Sequence, residues 1–151
     1  MENLNVTASA IISFAESLED SSSTFYEKLA EKFVESKDIF QAFANTYKKT
    51  KMLVIRTYQE TVSDVLETGF SFEGLNLKDY AVRTALSEDT CYTEALGIAI
   101  ELEEKAYKFY LDIAKQSLLA TIPRSFTKAG EVRIKRKLEL RSMLDNTNSI
   151  Y

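Results

Sequence analysis

Two stretches of this chain repeat one pattern 84 residues apart. Ala15-Glu16-Ser17-Leu18-Glu19, followed by Phe25-Tyr26, returns as Ala99-Ile100-Glu101-Leu102-Glu103, followed by Phe109-Tyr110. Aligning 15–30 with 99–114 gives six identities in sixteen positions, Ala30 with Ala114 being the last. One acidic residue is thus held at the same place inside an apolar pattern twice. That constrains the chain to two related helical units, each aiming a carboxylate at a shared core.

The rest of the sequence supports long helices. Four Gly and one Pro among 151 residues are too few for an all-β chain with a turn every 8–12 positions or so. Ile11, Ala15, Leu18, Ser22, Phe25, Leu29 and Phe33 recur at steps of four and three, one face of a first helix. Thr7 is expected to cap it. A second helix, about Asp38 to Asp64, carries Ile39, Phe40, Phe43, Ala44, Tyr47, Leu53, Val54 and Tyr58 inward. A third starts near Cys91 or Tyr92 and turns Ala95, Leu96, Ala99, Leu102, Ala106, Phe109, Tyr110 and Ile113 inward. A fourth starts near Thr121, with Pro123 in its first turn where a missing N–H costs nothing. It runs through Phe126, Val132, Ile134, Leu138, Leu140 and Met143 to about Asn146–Asn148.

The links Glu35–Lys37 and Leu119–Thr121 are short, so helices one and two, and three and four, must fold back as antiparallel hairpins. About 24 residues, 66–89, separate the hairpins. At ~3.3 Å per extended residue they can run the ~40 Å length of a 27-residue helix. The expected fold is all-α: a single-domain four-helix bundle (1–151), two antiparallel hairpins joined by one long crossover. A short helix within Leu77–Leu86 is expected in that crossover.

Composition narrows the chemistry. The chain has no histidine, so His-based triads and His-containing metal sites are impossible. Its one cysteine, Cys91, excludes an intrachain disulfide and a CxxC metal knuckle, and reads as a small apolar residue near a helix start. A net charge of −4 argues against nucleic acid. The basic run Arg133-Ile134-Lys135-Arg136-Lys137, with Arg141, and the pair Lys48-Lys49 with Lys51 are spread around their helices and form no single stripe. P-loop, GxGxxG, G-x-S-x-G and H-E-x-x-H motifs are absent. Met1–Asn5 lacks the basic and apolar regions of a signal peptide, and no run approaches the ~18 apolar residues of a membrane span. A cytoplasmic protein is expected.

The repeated A-x-x-x-E-x5-F-Y segment resembles the first and third helices of the rubrerythrin branch of the ferritin-like superfamily, and the resemblance extends from about Thr7 to Asn146. It implies a ferritin-like bundle in which each half contributes a carboxylate from its first helix and an E-x-x-H pair from its second. Together these hold two irons that react with peroxide or oxygen. Glu19 and Glu103 match the first-helix carboxylates, and Phe25-Tyr26 and Phe109-Tyr110 match the aromatic pair, Tyr26 and Tyr110 being expected in the core. The second-helix frame resembles F-x-x-L-A-x-x-E-x-x-H. Here it keeps Phe40, Phe43 and Ala44, but Tyr47 and Thr50 stand at the ligand positions. In helix four Arg133 and Arg136 stand there, so four of six expected ligands are replaced.

Two carboxylates buried alone would cost several kcal/mol each or take up protons. Arg133 and Arg136 are expected to answer this, forming an ion-pair cluster with Glu19 and Glu103 in place of the di-iron centre, with Tyr47 hydrogen-bonding one carboxylate. Glu16, Asp20, Glu101 and Glu104 are expected in solvent. The resulting expectation is a non-catalytic scaffold or interaction protein, with no cofactor and no bound metal, associating as a homodimer. The alternative is a rubrerythrin-type oxidoreductase with an altered metal site around Glu19 and Glu103; a weaker one is a small apolar or anionic ligand held near Arg133 and Arg136. The family's four-cysteine rubredoxin domain is not expected on a chain with one cysteine.

Overall fold

A computed structural model describes residues 6–65, 71–72, 75–116 and 121–150, and the side chains of 9–57, 75–115 and 124–147. Four helices account for nearly all of it: α1 Ala8–Lys32, α2 Lys37–Val65, α3 Tyr92–Gln116 and α4 Thr121–Ile150. They pack as a four-helix, all-α bundle. Two two-residue strands, β1 Val6–Thr7 and β2 Ser71–Phe72, pair antiparallel, with Val6 opposite Phe72 and Thr7 opposite Ser71. No helix among the described residues is long and apolar enough to cross a membrane.

The inward stripes of α1 and α3 follow their sequence spacing. Ile11, Ala15, Leu18, Ser22, Phe25 and Leu29 are buried on α1, and Ala95, Leu96, Ala99, Leu102, Ala106, Phe109, Tyr110 and Ile113 on α3. Steps of three and four keep these positions on one face of a 3.6-residue helix. On α2 and α4 the stripe is narrower than the apolar residues suggest. Ile39 is 45% exposed, against the inward placement expected for it, and Leu138 on α4 is 63% exposed. Phe40, Phe43, Ala44 and Tyr47 set the inward direction of α2, and Ile39 lies about 100° round the helix from Phe40. On α4 the buried positions are Phe126, Ala129, Arg133 and Leu140, which leaves Leu138 pointing away. The side chains of Thr7 and Tyr58 lie outside the described set.

Between α1 and α2, Phe33 leaves the helix and a 3-10 turn, Val34–Ser36, reverses the chain. The reversal is tied to the start of α3, where Ser36 Oγ and Tyr92 Oη lie 3.0 Å apart. Contacts across the bundle set the helix directions. Glu19 meets Tyr110 and Tyr26 meets Glu103, so α1 runs antiparallel to α3. Arg136 meets Thr46 and Ser125 meets Thr57, so α2 runs antiparallel to α4.

The crossover differs from expectation. Of Leu77–Leu86 only Leu77–Tyr80 is helical, a single 3-10 turn in which the Asn76 side chain accepts from Lys78 N at 3.1 Å. Ala81 turns extended, and from Tyr80 to Leu86 burial alternates residue by residue. A segment whose alternate residues face the bundle satisfies its apolar groups best when extended, and is too short to nucleate a helix alone. Tyr80 pins it: its ring packs on Phe14 and Phe109, and its hydroxyl donates to Asp112 at 2.7 Å. Residues 66–70, 73–74 and 117–120, which include both crossover glycines, lie outside the described residues. Before α3, Thr90 Oγ1 accepts from Ser87 N at 2.9 Å, closing the polar turn that precedes the helix.

Candidate functional site

The repeated glutamates are both fully buried. Glu19 on α1 and Glu103 on α3 are 0% exposed, as is Arg133 on α4. Each repeat's tyrosine serves the other repeat's glutamate: Tyr26 Oη donates to Glu103 Oε1 at 2.6 Å, and Tyr110 Oη donates to Glu19 Oε1. The halves therefore exchange hydrogen bonds about a local pseudo-twofold axis.

The second hairpin helices break that symmetry. Tyr47 on α2 donates to Glu103 Oε2 at 2.7 Å. Arg133, its counterpart on α4, lays its guanidinium 3.8 Å from the centre of the Tyr47 ring. Its Nη1 lies 3.3 Å from Glu103 Oε2 and donates to Ser22 Oγ at 2.9 Å, while Nη2 lies 3.0 Å from Glu19 Oε1. Ser22 in turn donates to Leu18 O on its own helix at 2.7 Å. One planar guanidinium thus spans both carboxylates and covers a phenol face, a geometry suited to Arg and not to Lys.

Arg136 does not join this cluster, against the expectation that it would. One turn further along α4, it leaves the axis of the bundle and stacks 3.7 Å over the Phe43 ring. Its Nη1 donates to Glu139 at 3.1 Å, and its side chain retains some solvent contact. A step of three residues advances about 4.5 Å and rotates a side chain by about 60°, enough to carry Arg136 off the inward line that Arg133 holds. Thr50 also stays apart: its hydroxyl donates back to Thr46 O at 3.1 Å. Asp20 and Glu104 lie at the surface with lysine and arginine partners, Lys51 for the first and Lys137 and Arg141 for the second.

Ser22 is the cluster member whose role the sequence did not disclose. The available signal was a hydroxyl in the middle of the α1 apolar stripe, where its counterpart in the repeat is Ala106.

Electrostatics follow from burial. Removal from water pushes Glu19 up from the ordinary carboxyl range; Arg133 and the Tyr110 bond oppose this, and Glu103 adds to it. Burial, followed by the neighbouring carboxylate, holds Tyr26, Tyr47 and Tyr110 well above the usual phenol range. For Arg133, burial works to remove the proton, but Glu19 and Glu103 outweigh it and keep the guanidinium charged.

A metal does not fit these residues. An ion shared by Glu19 and Glu103 would have to stand where the Arg133 guanidinium stands, between oxygens 3.0 and 3.3 Å from its nitrogens. Among the described residues no group of three or more His, Cys, Asp or Glu side chains could hold a metal ion. What the arrangement can do chemically is hold charge: a fixed cation neutralises buried anions and ties α1, α3 and α4 together. No protein-family model, curated protein or solved structure matches the chain.

Proposed function

We propose that this chain is a ferritin-like bundle of the rubrerythrin type in which a guanidinium has taken the place of the di-iron centre, and that it acts as a non-catalytic scaffold or interaction protein. The observation that carries this reading is Arg133, fully buried and bridging the two glutamates at the motif positions. The helix directions support the architecture: with α1 antiparallel to both α2 and α3, the second and third helices run the same way, which the long crossover permits. The protein is proposed to be cytoplasmic and to associate as a homodimer through an outer helix face.

The test is metal content and peroxide consumption after aerobic expression with added iron and manganese, with mass by light scattering on the same sample. Substoichiometric metal, no peroxide turnover and a dimer mass are expected. One or two ions per chain, lost together with peroxide turnover in Glu19→Gln or Glu103→Gln, would replace this reading with that of an oxidoreductase with an altered metal site.

A further inference from the structure

The cluster holds two carboxyl groups and one guanidinium, all fully buried, so with both carboxyls ionised it would carry one uncompensated negative charge. A net charge held away from water is expensive, and a buried acid lowers that cost by keeping its proton. The two glutamates are not equally placed to do so. Both oxygens of Glu103 are occupied: Tyr26 on Oε1, Tyr47 on Oε2, and Arg133 Nη1 across the two at 3.4 and 3.3 Å. Glu19 has the Tyr110 hydroxyl donating to Oε1 and Arg133 Nη2 3.0 Å from the same oxygen as an ion-pair contact without hydrogen-bond geometry, while Oε2 has no hydrogen-bond partner among the described residues.

Leaving a bare anionic oxygen in the core costs more than leaving a bare hydroxyl. We infer that Glu19 is the protonated member of the cluster, with the proton on Oε2, and that opening of the bundle is coupled to release of that proton to solvent. The inference rests on the reading that Arg133, and not a metal, neutralises the core. The groups facing Glu19 are Tyr110 and Glu103 from α3 and Arg133 from α4; Tyr47 on α2 reaches Glu103 instead, and Ser22, on the same helix as Glu19, is neutral. Arg133 is thereby the only cation in contact with Glu19 among the described residues, and it is shared with Glu103.

The sign is fixed by linkage. In the unfolded chain Glu19 ionises around its ordinary value of 4.5, whereas in the fold it stays protonated above that. Unfolding therefore releases a proton, and the stabilisation is full below 4.5 and is lost as pH rises toward the folded-state value. Within that window the folding constant falls about tenfold per pH unit on account of this one group. The two hairpins are then held by a clasp that weakens as pH rises above 4.5.

Infrared spectra of the full chain at neutral pH, with and without carboxyl-labelled glutamate, test the site directly. A neutral carboxylic acid band that shifts on labelling and disappears in Glu19→Gln is expected. Denaturant titrations across pH should show wild type losing stability relative to Glu19→Gln with a slope of about one proton. Absence of the acid band, or its survival in Glu19→Gln, would overturn the assignment. So would stability that follows sodium or potassium concentration and not pH, because a bound cation would then supply the missing charge. Stoichiometric iron or manganese in the same preparation would instead remove the underlying reading, which separates the two failures.

Discussion

Tyr26 on α1 lies level with Glu103 on α3, its hydroxyl 2.6 Å from Oε1, and the copy of that pair in the other half of the chain, Tyr110 with Glu19, is made the opposite way round. The two tyrosines are equivalent in sequence but serve partners in different states. A hydrogen bond to a charged acceptor contributes about 1.5–3 kcal/mol, and one between neutral groups about 1 kcal/mol. Tyr26→Phe is therefore expected to destabilise the protein more than Tyr110→Phe at neutral pH. Chemical denaturation of the two variants side by side checks this, and equal losses would count against distinct charge states for Glu19 and Glu103.

Arg133 is expected to be the most sensitive position in the core. Arg133→Met leaves two carboxyls with no cation, and breaking a buried pair in this way costs about 3–5 kcal/mol. Adding Glu19→Gln and Glu103→Gln to Arg133→Met should recover most of the loss, since a neutral core of similar volume need not be less stable than a buried ion cluster. Thermal unfolding of the single and triple variants measures the coupling.

Arg136 provides the contrast. Its guanidinium rests on Phe43 and pairs with Glu139 at the margin of the bundle. A cation–π contact on a side chain only 11% exposed is worth up to about 2 kcal/mol, so Arg136→Met should cost less than Arg133→Met. A loss matching that of Arg133→Met would show that the two arginines work as one unit.

Alkaline titration should set four of the eight tyrosines apart. Tyr26, Tyr47 and Tyr110 in the core, and Tyr80 beneath the crossover, are all held above the usual phenol range by burial and then by carboxylate neighbours. Because folding keeps these phenols protonated, their contribution to stability is full below pH 10 and is lost as pH rises beyond it. Phenolate absorbance followed by stopped flow should show a slow phase from these four that coincides with loss of helical circular dichroism. A single fast phase would mean that the core phenols are accessible.

Gly97, in the second turn of α3, has open space where a Cβ would stand. Gly97→Ala should therefore stabilise the protein by up to about 1 kcal/mol through helix propensity alone. Gly130 on α4 is different, since a Cβ there would meet Tyr110 Cβ at 3.4 Å, next to the phenol that serves Glu19. Comparing the melting temperatures of the two alanine variants checks whether α3 and α4 pack as described, with the larger gain expected at Gly97.

The placement of helices, the burial of Glu19 and Glu103 and the presence of an arginine with them were legible in the sequence, because each depends on the 3.6-residue period and on the cost of burying charge. Ile39 was misplaced because an apolar side chain reveals its preference for the core but not whether its helix turns it there. The crossover segment after Tyr80 was read as helical because its apolar residues fit either period; contact with α1 and α3 selects the extended one.

By itself, then, the sequence determined that two copies of one helical unit each turn a glutamate and, seven residues later, a tyrosine to the same face. Seven residues are about 10.5 Å along a helix, so neither tyrosine can reach the glutamate of its own copy. Only the tertiary structure decided who pairs with whom. Antiparallel packing of α1 on α3 brings Tyr26 level with Glu103 and Tyr110 level with Glu19, and the rotation of α4 admits Arg133 to the core while leaving Arg136 at its edge. Local periodicity tells a side chain which face it shares; the direction and rotation of the neighbouring helix tell it what it meets.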